Sequence, residues 1–186
     1  EIENQSADVL ELSHFIFEER LTESFEISDG VVIPAGTYSY DHACLTLVTG
    51  QQRDIATGTS ICAGGFYDGR IFSFETENTW RPSMHLRLAL SGEYNDVHLP
   101  QGNFITRLLR VNVDVAFNTA WSWENFLQYD NDSETIGVNS ILRWIPRAGR
   151  EMVLAVNSQQ QDFDRDGRFR SYTADATLKL SYTFRF

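Results

Sequence analysis

Long hydrophobic runs are absent from this chain of 186 residues, whose apolar stretches are only a few residues long. A helix needs roughly 20 consecutive apolar residues to cross a bilayer, so a membrane-spanning helix is excluded. A strand of a membrane β-barrel crosses with about 9 to 11 tilted residues and needs apolar side chains only on its lipid side. The mean hydropathy of -0.30 therefore fits a membrane barrel as well as a soluble protein.

Basic residues are also scarce, since 15 Lys and Arg stand against 26 Asp and Glu and the formal net charge is -11. Binding to the phosphates of a nucleic acid requires a cationic surface, so this balance argues against a nucleic-acid partner. The first residues also lack the charged start and the apolar stretch of a secretory signal. We therefore expect an exported chain that has been processed or truncated.

Proline occurs only four times, and β-branched and aromatic residues are spread along the whole chain. Turn signals recur about every 10 to 18 residues, which is typical of all-β proteins. The pattern predicts a single antiparallel β-region over residues 1–186. Its roughly ten strands are expected at 14–27, 37–49, 54–65, 70–80, 84–95, 104–117, 120–129, 136–145, 150–159 and 172–186.

The last predicted strand, residues 172–186, alternates strictly between apolar and polar side chains. Leu178 and Leu180 belong to its apolar side, whereas Asp175 and Lys179 belong to its polar side. Such alternation gives a strand one apolar and one polar face. The apolar face would form the core of a soluble β-sandwich or contact lipid in a membrane barrel, and both architectures fit this pattern.

Aromatic residues separate these two architectures. The final residues Tyr182, Phe184 and Phe186 resemble the C-terminal signature by which the barrel-assembly machinery recognises bacterial outer-membrane proteins. The four tryptophans fall at one end of the predicted strands, and all but one of the tyrosines fall at the other: Trp80, Trp121, Trp123 and Trp144 against Tyr38, Tyr40, Tyr67, Tyr94, Tyr129 and Tyr172. Two such girdles are typical of membrane barrels, because amphipathic rings favour the headgroup level.

The sequence therefore predicts an all-β, antiparallel, up-and-down transmembrane β-barrel in the bacterial outer membrane, in contact with the lipid bilayer and lipopolysaccharide. A soluble β-sandwich or lipocalin-like barrel is the alternative. Charged residues on the polar side of the strands are expected to line the lumen: Glu75, Glu77, Arg87, Arg110, Asp114, Glu124, Arg143, Asp175, Lys179 and Arg185. They either pair across neighbouring strands and rigidify the wall or line a hydrated path for polar solutes.

A known family shares several stretches with this chain: FEISDGVVIPAGTYSY, CAGGFYDGR, LSGEYNDVHLPQGNF, LQYDNDSETIGVNSILRWIPRAGREMVLAVN and LKLSYTFRF. From about residue 25 onward the chain resembles the C-terminal part of an uncharacterised family of bacterial outer-membrane proteins. Members of that family carry a carbohydrate-binding-module-like domain before a long barrel region. The resemblance implies that this chain forms the last strands of a larger barrel. It hints at glycans as ligands and supplies no catalytic residues.

The sharpest local motif is a D-x-D-x-D-G run formed by Asp162, Asp164, Asp166 and Gly167. Alternating carboxylates followed by glycine match the first half of a calcium-binding loop. Thr173 stands at the twelfth position, where such loops carry a bidentate glutamate. The run therefore predicts either a Ca²⁺ site or a solvated acidic turn.

The two cysteines, Cys44 and Cys62, lie on consecutive predicted strands at nearly equal distances from the turn around Arg53. An exported protein occupies a compartment that permits disulfides. Adjacent strands often have poor geometry for bridging. The cysteines are therefore either bonded across the hairpin or remain two free thiols.

Residues for catalysis are not recognised. Of the four histidines, only His98 lies in a predicted outer loop, where Asp96 is close in sequence and no serine stands in a recognisable setting. Zinc-ligand spacing, a phosphate-binding glycine loop and a redox cysteine motif are all lacking. We predict that the chain is not an enzyme.

The expected function is a passage or surface receptor for small polar solutes, with glycans among the candidates. A structural or adhesive outer-membrane protein whose acidic outer loops bind divalent ions is the alternative. An outer-membrane hydrolase that depends on His98 is a third hypothesis.

Overall fold

The computed structural model describes residues 1–163 and 165–183. Over these residues the chain forms thirteen β-strands and no helix. The strands are β1 (Ile2–Glu3), β2 (Val9–Leu21), β3 (Phe25–Ser28), β4 (Val31–Ile33), β5 (Gly36–Val48), β6 (Ile55–Phe66), β7 (Gly69–Ser83), β8 (Leu86–Leu99), β9 (Gly102–Ala116), β10 (Trp121–Asp130), β11 (Thr135–Arg147), β12 (Arg150–Gln161) and β13 (Arg170–Tyr182).

Eleven of these strands form one sheet in the order β1-β2-β5-β6-β7-β8-β9-β10-β11-β12-β13, and β3 pairs with β4 in a second, two-stranded sheet. Short turns join most neighbouring strands of the large sheet, as an antiparallel arrangement allows, and the β3–β4 hairpin lies between β2 and β5 in the chain. The predicted all-β antiparallel class is confirmed. The predicted closure is not observed: β1 and β13 are the two edges of an open sheet in the described part of the chain. No helix among the described residues has the length and hydropathy to span a membrane.

The chain divides into two compact units. Unit 1 comprises Glu1–Glu77 and Gly92–Arg107, and unit 2 comprises Asn78–Ser91 and Leu108–Phe186. Strands β2 to β6 belong to unit 1 and β10 to β13 to unit 2, whereas β7, β8 and β9 each contribute residues to both.

The predicted boundaries are wrong at the start of the chain. The first long strand, β2, covers Val9–Leu21 instead of 14–27. Residues 25–33, expected to end a strand and continue as a loop, form the β3–β4 hairpin instead. Its two-residue turn is Asp29–Gly30, with Gly30 at φ 73° and its amide donating to Glu26 Oε1 at 2.7 Å. Asp-Gly is a strong hairpin signal because the turn requires positive φ.

Unit 1 has a compact hydrophobic core built around this hairpin. Val31 and Ile33 of β4 are buried together with Val97 and Leu99 of β8. Partly buried side chains surround them: Leu21, Phe25, Ile27, Tyr38, Phe66, Tyr67, Ile71 and Phe104. The hairpin therefore covers one face of the unit 1 strands at the end where β5 begins.

Unit 2 has almost no buried core. Within its described residues, Thr79, Ala89 and Asp162 are the buried positions. Its large hydrophobic side chains are mostly exposed, with Leu180 at 72% and Leu178 at 59%. A soluble β-sandwich would bury one face of these strands against a second layer. The strands of unit 2 therefore hold together through hydrogen-bonded pairing and not through packing on another sheet.

Candidate functional site

The register of β9 to β13 sorts the side chains of unit 2 onto two faces. Directly paired residues of antiparallel strands point to the same side, and residues two apart along a strand do so as well. Glu124 pairs with Asp114 on one side and Ile141 on the other. The face that these residues define, called the polar face here, carries Arg110, Asn112, Asp114, Ser122, Glu124, Gln128, Asn139, Arg143, Asn157, Gln159, Asp175, Thr177 and Lys179.

Six of the predicted lumen residues share this polar face: Arg110, Asp114, Glu124, Arg143, Asp175 and Lys179. A seventh, Arg87 of β8, joins them because its Nη1 lies 2.8 Å from Asp114 Oδ2. Arg185 lies outside the described residues. The register thus puts these charged side chains on one face, as their two-residue spacing indicates, and their place in a lumen stays a prediction.

Charged and amide groups on the polar face contact one another across strands. Arg110 Nε donates to Gln128 Oε1 at 3.3 Å, and Arg143 Nε lies 3.4 Å from Glu151 Oε1. A transverse chain of hydrogen bonds then spans three strands. Asn139 donates to Asn157, which donates from Nδ2 to Asp175 Oδ2 at 2.9 Å. Cross-strand pairing, one of the two predicted roles for these residues, is therefore present.

A pocket of about 540 Å³ opens at the end of the polar face where β7 turns into β8. Its charged and polar lining includes Arg81, His85, Arg87, Asp114, Ser122 and Glu124. His85 ties the turn to β9, since its carbonyl accepts the amide of Ala116 at 2.8 Å. The lining of the pocket therefore carries both charges, and the turn at its edge is hydrogen-bonded to β9.

The opposite, apolar face of unit 2 is not covered by a second layer in the described residues. In β10, Trp123 and Leu127 are exposed, whereas Glu124 and Gln128 on the polar face are half-buried. In β9, Leu109 is exposed in the same way. Further members of the apolar face are Val111, Val113, Val115, Trp121, Ile136, Val138, Leu142, Trp144, Met152, Leu154, Val156, Leu178 and Leu180. The apolar side chains of unit 2 are thus about as exposed as the charged side chains of the polar face, such as those of Arg87 and Asp114, whereas a soluble protein buries its apolar side chains.

Three of the four tryptophans lie at one end of β10 and β11. Trp121 and Trp144 pair directly across these strands, and Trp123 lies two residues from Trp121 along β10. The indole of Trp123 donates to Ser140 Oγ at 2.9 Å, and Ser140 donates to Asn125 Oδ1 at 2.8 Å. The polar groups of Trp123, Ser140 and Asn125 on the apolar face are therefore hydrogen-bonded to one another. Tyr129 of β10 lies at the opposite end of this strand.

The faces of unit 1 follow from the pairing of β2, β5 and β6. One face, called the leucine face here, exposes Leu10, Leu12, Ile16, Leu45, Leu47 and Ile61. The other, called the disulfide face, carries Cys44 and Cys62, which are directly paired and bonded. The disulfide, left open by the sequence, is therefore formed. It joins the middle of β5 to β6 with Thr46 and Ser60 beside it, 3.0 Å apart between their hydroxyl oxygens.

Three tyrosines of the predicted girdle lie in unit 1 on the face opposite the leucine face. Tyr38 and Tyr40 lie at the expected end of β5, but they point to the disulfide face and not to the exposed leucine face. Tyr67, in the turn after β6, packs against both, with ring centroids 5.2 Å and 5.6 Å away. Sequence alternation could not place them, because β2 and β5 carry aromatic or aliphatic residues on both faces.

Glu19 of β2 organises this aromatic group. It accepts hydrogen bonds from the phenols of Tyr40 at 3.2 Å and Tyr67 at 3.3 Å. Burial and, after it, the charge of Glu19 raise the pKa of Tyr67 to about 12. Glu19 was not among the predicted site residues, although the predicted strand 14–27 contains it, because its phenol partners Tyr40 and Tyr67 lie far from it in the sequence.

Glu75 and Glu77 of β7, also predicted to line the lumen, are exposed. The hydroxyls of Thr59 and Thr76 lie 3.0 Å apart, so these two side chains share a face. Thr59 pairs with Leu47 on the leucine face. Alternation along β7 therefore puts Glu75 and Glu77 on the disulfide side.

The acidic loop after β12 is organised around Asp162. Its buried carboxylate accepts the backbone amides of Asp166 at 3.2 Å and Gly167 at 2.7 Å. No group of three potential metal ligands is found among the described residues. Asp164 lies outside them, so the calcium site stays a prediction. Asp162 itself acts as the cap of a turn, a common role for aspartate.

The predicted assembly signal is described only at Tyr182. This residue ends β13, and the Arg150 guanidinium lies 4.8 Å from its ring centroid and donates to its hydroxyl at 3.1 Å. Phe184 and Phe186 lie outside the described residues. His98, the histidine considered for catalysis, lies within β8 and not in the predicted outer loop, and its Nε2 is 3.1 Å from Asp96 Oδ1.

Searches for related proteins return no match to this chain among protein-family models, curated proteins or solved structures.

Proposed function

We propose that the chain forms the wall of a transmembrane β-barrel in the bacterial outer membrane, either a whole barrel or the last strands of a larger one. The observation that carries the proposal is the uncovered apolar face of unit 2, where Trp123 and Leu127 are 40% and 41% exposed, as much as the side chain of Asp114 on the polar face at 40%. Removing apolar surface from water is favourable by about 25 cal/mol per Å². A bilayer removes the apolar face from water and leaves the charged face to a hydrated interior.

The length of the apolar face supports the same proposal. Trp121 and Tyr129, at the two ends of β10, lie on this face with Trp123 and Leu127 between them. A barrel strand crosses the hydrocarbon with about 9 to 11 tilted residues, flanked by aromatic rings at both interfaces. The segment from Trp121 to Tyr129 matches that span.

The proposal requires that the open edge of the sheet be paired in the membrane. In the described residues, β13 pairs with β12 and with no other strand. Lipid offers no hydrogen bonds to the backbone groups of a free edge. In a bilayer a further strand must therefore pair along β13. The barrel-assembly machinery and lipopolysaccharide are the partners expected of such a protein, and the resemblance to outer-membrane proteins adds to its support.

The polar face supports a passage for small polar solutes, with glycans among them. Charged and amide groups follow this face from Arg87 and Asp114 at one end to Asp175, and a pocket of about 540 Å³ opens on it. Hydration of such an interior satisfies groups that lipid would leave unpaired. The chain is proposed to be a non-enzymatic barrel protein.

A second candidate function, a purely structural or adhesive barrel, is favoured by one observation. The Arg87–Asp114 and Arg143–Glu151 pairs bridge neighbouring strands and would rigidify the wall. A barrel of about ten strands has an interior nearly filled by its own side chains. Such a protein would conduct nothing, and its acidic outer loops would be the functional part.

Conductance in planar bilayers distinguishes these two candidates. The passage predicts discrete openings, whereas a folded and inserted protein without openings favours the structural barrel. Arg87→Gln should increase the preference for cations, because Asp114 would lose its neutralising partner. Arg168→Gln, a change in an exposed loop, is the control and should leave selectivity unchanged. Purified protein that stays folded and monodisperse in buffer without detergent would contradict the membrane barrel itself.

A further inference from the structure

An aromatic belt on the disulfide face of unit 1 is not explained by contact with lipid. The belt consists of Phe15 and Phe17 of β2, Tyr38 and Tyr40 of β5, and Phe66 and Tyr67. Its rings form one continuous series, with neighbouring centroids 4.8 to 6.3 Å apart. All of this lies on the side opposite to the exposed leucine face.

The two ends of the belt differ in exposure. Tyr38, Phe66 and Tyr67 pack against the core beneath the β3–β4 hairpin. Phe15 and Phe17 remain 45% and 37% exposed. Phe17 stacks on Tyr40, its direct partner across the strands, with 5.3 Å between centroids and 21° between ring planes. The hairpin end is therefore a fixed support, and the Phe15 and Phe17 rings are the accessible part.

The electrostatic setting of these accessible rings is negative. Glu19 lies two residues from Phe17 on the same face, and its carboxylate accepts the phenols of Tyr40 and Tyr67. A carboxylate that accepts two hydrogen bonds keeps its charge and further acceptor sites. Glu11 is on this face as well, and so is the His42 ring, whose centroid lies 4.8 Å from that of Phe17 and 5.8 Å from that of Phe15. Arg20, the one Lys or Arg in β2, β5 and β6, lies on the opposite face.

We propose that this place binds an organic cation, with a quaternary or alkylated ammonium group held over the Phe15 and Phe17 rings beside Glu19. Aromatic faces attract cations through the ring quadrupole, and a nearby carboxylate adds direct attraction. A neutral ligand would use the rings but gain nothing from Glu19. An anionic ligand would be repelled. The disulfide between Cys44 and Cys62 holds together β5 and β6, the strands that carry Tyr40 and Phe66 of the belt.

The inference rests on the proposed function in one respect, since a hydrated interior is what would bring solutes to the disulfide face. Binding itself requires only the folded chain, so it is measured in maltoside micelles free of choline-headgroup detergent. Choline is the probe, titrated by NMR with saturation transfer from the protein's aromatic protons to the probe's N-methyl protons. The matched neutral probe is 3,3-dimethyl-1-butanol, which has the same shape without the charge.

Two variants test the residues. Phe17→Leu should weaken choline binding roughly two- to fivefold, the effect of one exposed cation–π contact. Glu19→Gln should weaken choline binding and leave the neutral probe unaffected, because only the charge is removed. Phe72→Leu, which alters an exposed phenylalanine on β7, is the control and should bind choline as the parent does.

Equal affinity for choline and its neutral analogue would overturn the proposal, as would unchanged choline affinity in both Phe17→Leu and Glu19→Gln. A parent protein that gives no saturation transfer to choline at millimolar concentration would overturn it too. A protein that is not a passage would give a different result. Choline binding in micelles together with silent bilayers would contradict the passage and leave the cation site standing.

Discussion

Trp121 of β10 and Trp144 of β11 are direct cross-strand partners, and their rings stack with 5.5 Å between centroids and 22° between planes. Both lie on the apolar face of unit 2, at the end where the strands turn. Stacked aromatic pairs across strands contribute beyond the area they bury. The pair therefore stabilises the register of two strands that have no packed layer behind them.

Replacing the two tryptophans singly and together should show how strongly their contributions to the free energy of unfolding are coupled. Trp121→Leu and Trp144→Leu should each lower the free energy of unfolding, and the double variant should lose less than the sum, with a coupling of about 0.5–1.5 kcal/mol. Urea unfolding of the protein refolded in lipid vesicles measures it. Trp121→Leu combined with Leu178→Ala, three strands away, should be additive. A coupling of zero in the first cycle would contradict the stacking contribution.

Adjacent residues of β12 offer a matched test of the two faces. Leu154 belongs to the apolar face, and Ala155 belongs to the polar face through its pairing with Ile141 and Thr177. An arginine at the lipid face of a barrel costs about 2–4 kcal/mol near the midplane. Leu154→Arg should therefore lower the free energy of unfolding in vesicles by about that much, whereas Ala155→Arg should fold normally. Equal effects of the two changes would count against the membrane assignment of the apolar face.

The disulfide should contribute strongly to the stability of unit 1. Cys44 and Cys62 are 18 residues apart in sequence, and closing a loop of this size is worth about 3 kcal/mol. The double variant Cys44→Ala, Cys62→Ala should lower the free energy of unfolding by about that amount and be insensitive to reductant. Denaturant unfolding with and without dithiothreitol checks it. A parent whose stability is the same in both conditions would show that the bond contributes little.

The turn of the β3–β4 hairpin depends on Gly30. Its φ of 73° lies in the left-handed region, where a side chain costs about 1–2 kcal/mol, although open space surrounds a Cβ built there. Gly30→Ala should therefore lower stability and increase amide exchange of Val31. Gly137→Ala, another position with open space but no positive φ, is the control and should be neutral or slightly stabilising. Equal exchange at Val31 in both variants would contradict this account.

The segment before β2 should loosen in acid. Hydrogen bonds from Arg53, then the Gly50 amide and Asn4, lower the pKa of Asp8 from its ordinary value of 3.8 to about 2. A depressed carboxylate pKa stabilises the fold above pH 3.8, and that contribution is lost as the pH falls through 2. Amide exchange should therefore be faster in Asp8→Asn than in the parent at pH 5, with the difference vanishing near pH 2. Gln51→Ala, in the same turn, is a control that should keep the parent's pH dependence.

In unit 2 the strands, and the side to which each of their residues points, were largely predictable from the sequence. Asp175 and Lys179 were placed on one side and Leu178 and Leu180 on the other from alternation alone, and the register agrees. The reason is local, since successive side chains of a strand point to opposite sides whatever the strand pairs with. In unit 1 the same method failed for Tyr38 and Tyr40, because both faces of their strand are rich in large side chains.

The candidate cation site was not predictable for a further reason. Phe15, Phe17 and Glu19 belong to one strand and Tyr40 to another, and only their register makes them neighbours. The Asp-Gly turn of the β3–β4 hairpin was visible in the sequence, but the packing of Val31 against Val97 was not.

By itself the sequence determined the all-β class, the acidic charge and the division of the unit 2 strands into a polar and an apolar side, because these depend on composition and on a two-residue period. Only the tertiary structure decided that Cys44 bonds to Cys62, that Glu19 accepts hydrogen bonds from two phenols and that no second layer covers the apolar side of unit 2 in the described residues. Those features depend on strand register and on contacts between residues far apart in the chain, which no local pattern encodes.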